Sequence, residues 1–222
     1  MCSSDLEEHR LKRLGDYLVA LYLHERLDLQ PGGLLDALLT KASEKVRQHL
    51  MWSLGTNLKR PTTDFPELLR ARALAYWDSR LAVGEAASDP AKFRGELGSI
   101  GQWCDNHQIE PAWLFDRLLR MLRAGFVPAL AYSVVEWLST VREPHLDRAV
   151  EVLTELLMNP NVDQWVYVGQ DQSIRALLTA GRSRGTTATV ERVEELVSFL
   201  ATIGQPGYLD LVHPAQAAAA RQ

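Results

Sequence analysis

The sequence predicts an all-α protein of antiparallel helix hairpins stacked as an α-solenoid, with a closed helical bundle as the alternative. Three observations predict it. Apolar residues recur at helical spacing almost from end to end, prolines and glycines punctuate the chain between these stretches, and no two segments alternate as paired strands would. Hydrophobic residues make up 46% and charged residues 23% of 222 positions, enough apolar material for a core and too much for a disordered chain.

Taken in order, a first helix is expected over 5–28, where Leu11, Leu14, Leu18, Leu21 and Tyr22 share a face. Gly32-Gly33 stops it. A second spans 34–57 on Leu35, Leu38, Leu39, Ala42, Val46 and Leu50, and a third covers 66–86. Proline is tolerated in a first helical turn, where its missing N–H would be unpaired anyway, so Asp89-Pro90, Glu110-Pro111 and Glu143-Pro144 read as helix starts. Asp89 is placed to cap the first of these. Helices over 90–106, 111–124, 128–141 and 144–158 follow. In the last, Leu146, Ala149, Val150, Leu153, Leu156 and Leu157 face inward, while Asp147, Glu151 and Glu155 face solvent.

Asn159-Pro160 closes that helix, and one or two shorter helices are expected between 163 and 181. Val166-Tyr167-Val168 is β-like but has no partner strand, so it reads as connector or short helix. Gly181 to Gly185 reads as a stop and flexible loop, a final helix spans 188–203, and Gly204 to Gly207 ends it. Residues 1–212 are expected to form a single helical domain, with a candidate subdivision near 59–65, and the Ala-rich 213–222 a disordered tail.

A net charge of −4 gives no basic excess of the kind that phosphate binding favours. Tyr17 to Leu23 is soon interrupted by His24, Glu25 and Arg26, so no membrane span is expected, and the stretch from Met1 to Glu8 lacks the pattern of a secretory leader. The widely spaced Cys2 and Cys104 suggest free thiols and a cytoplasmic location.

Searching for chemistry yields little. GxxxxGK[ST] and HExxH are absent, and Gly95-Glu96-Leu97-Gly98-Ser99-Ile100-Gly101 fits neither GxGxxG nor GxSxG, so its glycines read as sites of close helix packing. Cys104 and His107, three apart, could share a helical face and form the nucleus of a small enzyme's site, but two ligands do not make a metal site. No catalytic, cofactor-binding or metal-ligating residue is assigned, and no cofactor. The candidate interaction surface is Arg117, Arg120 and Arg123, at successive three-residue steps of one helix, together with Arg182 and Arg184. The competing expectation is a solvated face paired with Asp116 and nearby carboxylates. Of the tryptophans at 52, 77, 103, 113, 137 and 165, most should be core, and any left exposed would mark a binding surface.

Several stretches resemble a known kind of module. Leu18 to Leu29 with Tyr22 and Leu27-Asp28-Leu29, Tyr76-Trp77-Asp78-Ser79-Arg80-Leu81, and Phe93 to Trp103 followed by Trp113 and Leu118-Leu119 form an ordered series. With Ile174-Arg175-Ala176-Leu177-Leu178 and Gly207-Tyr208-Leu209, the series resembles the C-terminal, HEAT-like helical region of large bacterial STAND-type NTPases and other anti-phage defence proteins. The resemblance implies a helical tail that senses or scaffolds while the chemistry lies upstream. The expected function is therefore a non-enzymatic module for protein–protein interaction, part of a larger bacterial protein. Nucleic-acid or phosphate binding through Arg117, Arg120 and Arg123 is the alternative, and a small enzyme the second.

Overall fold

In a computed structural model the residues described are 3–24, 32–58, 67–104, 106–163 and 165–212. All their regular structure is helical. The elements are α1 (Ser3–Leu23), α2 (Leu34–Lys41), α3 (Glu44–Leu58), α4 (Glu67–Ala86), α5 (Arg94–Gly98), α6 (Pro111–Arg123), α7 (Ala131–Leu157), α8 (Trp165–Gly169), α9 (Asp171–Arg184) and α10 (Thr187–Thr202). Short 3-10 turns cover Pro90–Phe93, Ser99–Gln102 and Pro206–Leu211. No described helix is long and apolar enough to cross a membrane.

The chain divides into two compact units: residues 1–110 with 128–130, and residues 111–127 with 131–222. The division falls near 110. The subdivision expected near 59–65 and the tail expected at 213–222 lie outside the described residues, as do Cys2 and Leu27-Asp28-Leu29.

In the first unit α3 lies against α1 and α5. Glycine lets the backbones approach: a Cβ on Gly15 would fall 1.7 Å from Leu50 Cδ2, and one on Gly55 would fall 2.6 Å from the Trp103 ring. Trp103 is buried and donates its indole N–H to the Met51 carbonyl at 3.2 Å. Residues 128–130 return to this unit, with the Ala129 amide on the Gly98 carbonyl at 2.8 Å.

A buried ionic cluster ties four elements of this unit together. Glu96 of α5 is wholly buried and takes a forked pair of hydrogen bonds from Arg80 of α4, at 2.6 and 3.2 Å. Arg80 also donates to Asp36 of α2 at 3.1 Å, and Arg47 of α3 brings its Nε within 3.2 Å of Glu96. Both guanidiniums lie over the Phe93 ring, at 5.5 and 5.8 Å from its centre. Burial opposes the charge on Arg80, but the hydrogen bond and charge of Glu96 outweigh it and hold the guanidinium pKa above its ordinary value.

In the second unit, cross-links fix the helix directions. Residues 143 and 150 of α7 meet Arg184 and Gly181, so α9 runs antiparallel to this part of α7, and Tyr167 of α8 donates to the Leu157 carbonyl. Asp147 meets Thr189 and Glu151 meets Arg192, so α10 runs parallel to it. Asp116 meets Arg148 and Arg123 meets Glu151 and Glu155, so α6 is parallel as well. Arg175 then holds the last 3-10 turn, pairing with Asp210 at 3.0 Å and lying over the Tyr208 ring.

Several expectations about elements are corrected. The helix expected over 34–57 breaks at Ala42, whose extended backbone frees a carbonyl that Arg47 takes at 2.7 Å. Instead of one helix over 90–106 there are two 3-10 turns around the five-residue α5, a stretch carrying glycines at 95, 98 and 101. Asp89 makes no side-chain cap and pairs with Lys92 at 3.5 Å. By contrast, the two helices expected on either side of Glu143-Pro144 are present as the two halves of α7, parted by a kink at the non-helical residues Glu143 to His145. The short helix expected at Val166, Tyr167 and Val168 is met by α8, while Pro206–Leu211 adds a turn beyond the expected stop at Gly204.

Replacing Glu96 with leucine takes the forked partner from the buried Arg80 and the carboxylate from the half-buried Arg47. We expect Glu96→Leu to lower the unfolding free energy by about 3–5 kcal/mol, and Arg80→Met together with Glu96→Leu to recover part of that loss. Urea denaturation checks both, and a single variant as stable as the parent would mean the cluster does not hold these elements together.

Candidate arginine interaction surface

The amphipathic period of α6 sets out the surface. Leu114, Phe115, Leu118, Leu119 and Leu122 point inward and are buried, which turns Asp116, Arg120 and Arg123 outward. Arg117 lies between the two faces, its guanidinium 5.1 Å from the centre of the Trp113 ring and 3.8 Å from Asp116.

The neighbouring helices bring further charges to this face. Arg148 of α7 meets Asp116 at 2.5 Å and lies 5.8 Å from the centre of the Phe115 ring, which itself packs on Trp137. Arg123 donates to Glu151 at 2.9 Å and Glu155 at 3.3 Å, and Arg192 of α10 approaches Glu151 at 3.5 Å. Hydrogen bonding to Glu155 is the largest influence on Arg123, and with Glu151 it raises the guanidinium pKa above its ordinary value. Between α6 and α7 runs an open groove of about 500 Å³, lined by Asp116, Leu119, Arg120, Arg123, Arg148 and Glu151.

The structure thus keeps Arg117, Arg120 and Arg123 on one helix and engages Arg123 with carboxylates. Arg182 and Arg184 stand elsewhere, in the last turn of α9, where Arg184 pairs with Glu143 at 2.5 Å. The loop expected from Gly181 to Gly185 is corrected. Gly181 is a buried helical residue, and a Cβ there would fall 2.9 Å from Val150 and 3.1 Å from Val193. An inter-helix packing site, rather than a chain break, is what this glycine provides.

Beside this groove, Asp147 ties α7 to the start of α10. One carboxylate oxygen accepts from the Thr186 amide at 3.0 Å, the Thr186 hydroxyl at 3.2 Å and the Thr189 hydroxyl. The Thr189 bond, then the Thr186 amide, lowers the Asp147 pKa below the usual carboxylate value.

Other candidates fare differently. Cys104 is buried and His107 exposed, and neither lies in a helix, so the shared helical face is corrected. Among the described residues no group of three or more His, Cys, Asp or Glu side chains is placed to hold a metal ion. Trp77, Trp103 and Trp137 are core, while Trp52 and Trp165 are exposed. Arg148 and Arg192 escaped the sequence reading because nothing in the order of residues says which helices adjoin α6. In comparisons with known proteins, no family model, curated protein or solved structure matches this chain.

Because the Asp147 pKa is depressed in the folded protein, the stability it contributes is present above the ordinary carboxylate range and lost as pH falls through the lowered value. Asp147→Asn should therefore cost on the order of 1 kcal/mol at neutral pH, a modest figure because the site is largely solvent-screened. Thermal unfolding of both proteins from pH 7 down to pH 2 checks this: the two curves should converge in acid, and a constant offset would contradict it.

Proposed function

We propose that this chain is a non-enzymatic helical scaffold or sensor module that mediates protein–protein interaction. One observation carries the proposal: Trp165, 76% exposed, and Val168, 64% exposed, project from a single helix. Helix α8 is held in place from its other side, because Val166 and Tyr167 are buried and the Tyr167 hydroxyl donates to the Leu157 carbonyl at 2.6 Å. An anchored tryptophan presented to solvent is the kind of residue that dominates protein interfaces.

The resemblance of its sequence stretches to bacterial STAND-type tails suggests a bacterial parent protein, with chemistry upstream and a role in defence. Two widely separated cysteines suggest a cytoplasmic setting. Nucleic-acid binding through Arg117, Arg120 and Arg123 is the weaker alternative, since a net charge of −4 gives no overall basic excess of the kind that phosphate binding favours. A small enzyme built on Cys104 has less support, as His107 is not on a shared helical face with it.

The test is crosslinking in the host followed by purification of the full chain, comparing the native protein with Trp165→Ala/Val168→Ser. We expect the same partner to be enriched with the native chain and its binding to weaken by about 2 kcal/mol, some thirtyfold, in the variant. Equal enrichment by both, or no partner with either, would refute the proposal.

A further inference from the structure

The arginine groove of the second unit has a charge balance unlike that of the chain as a whole. The groove is lined by Arg120, Arg123 and Arg148 against Asp116 and Glu151. Three guanidiniums face two carboxylates, an excess of one positive charge in a chain whose net charge is −4.

We infer that the groove between α6 and α7 is a docking site for an acidic segment of a protein partner, an assignment that rests on the interaction role proposed above and names the partner's chemistry. The guanidiniums that line it are accessible: Arg123 is 54% and Arg148 42% exposed. Exposed ion pairs of this kind are weak, so an incoming carboxylate can share or replace the internal ones.

Donor geometry points the same way. A guanidinium carries five N–H donors in a planar fork suited to carboxylates. Arg123 directs Nε to Glu155 and one Nη to Glu151, which leaves its other Nη for an outside acceptor, while Arg148 directs one Nη to Asp116 and holds its buried Nε 3.8 Å from Glu151. The existing pairs hold the arginine side chains extended across the groove, which lowers the ordering cost of a second acidic ligand. Leu119 forms an apolar floor between the arginines, a place for the aliphatic part of a glutamate side chain.

The probe is a fluorescent peptide of eight glutamates, titrated by anisotropy against the full chain. We expect measurable binding that weakens about tenfold or more between 50 and 300 mM salt, as screening of exposed charges requires. Arg120→Glu/Arg123→Glu should weaken it at least about tenfold with circular dichroism unchanged. Should that variant lose its helical signal, Arg120→Gln alone should still weaken binding by about threefold.

Inorganic phosphate and a single-stranded oligonucleotide of matching charge serve as competitors and should displace the peptide only weakly. No binding of the peptide, binding indifferent to both arginine variants, or tighter binding of the oligonucleotide or of phosphate would each overturn the assignment. Since the probe is independent of the host partner, those failures leave the Trp165 experiment standing, and failure of the Trp165 experiment leaves a positive titration standing.

Discussion

Close approach of helix backbones at glycine is the constraint on which both units depend. In the first unit Leu50 fills the space over Gly15, and the Trp103 ring fills the space over Gly55. In the second, Gly181 lies where Val150 of α7 and Val193 of α10 converge. At each position a methyl group would overlap a side chain that is itself buried, and tightly packed interiors adjust to such overlap only at a cost. The spacing has consequences beyond packing. With α9 drawn against α7 and α10, Glu151 comes within reach of Arg192, and Asp147 within reach of Thr186 and Thr189.

The two units use charge in opposite ways. In the first, Glu96 is sealed from water and is tolerated only because Arg80 supplies a forked pair of bonds and Arg47 lies alongside. That arrangement works only when α2, α3, α4 and α5 are all in place, so it selects one packing among the many that an apolar core alone would accept. In the second, the carboxylates Glu151 and Glu155 stay near the surface, where their pairing with Arg123 is screened and exchangeable. Similar residue types thus specify structure in one place and present a recognition surface in the other, and burial is what separates the roles.

The sequence reveals the helices far more readily than their neighbours. The 3.6-residue period of Leu114, Phe115, Leu118 and Leu122 is a local property, and it correctly turned Arg120 and Arg123 outward. Glycine is ambiguous by the same local logic: Gly181 looks like a helix stop, yet its lack of a side chain serves packing against helices distant in sequence. Asp89 has the right type and position for a cap, but a 3-10 turn follows it and its carboxylate pairs with Lys92 instead. Nothing in the order of residues pairs Arg80 with Glu96 or Asp36, because these partners lie on other elements. Arg148 and Arg192 belong to the arginine surface for the same non-local reason.

The arrangement of that surface favours selectivity over raw strength. A patch with a positive excess on a negatively charged chain attracts acidic groups from a distance, and it repels the same patch on a second copy. Interspersed carboxylates penalise any ligand that places its charges out of step with the arginines. Three helices running parallel hold those positions in register, since Arg123, Glu151 and Arg192 lie at one level across α6, α7 and α10. Recognition by such a surface depends on the spacing of the partner's charges, and that spacing is fixed by the same helix packing that Gly181 permits.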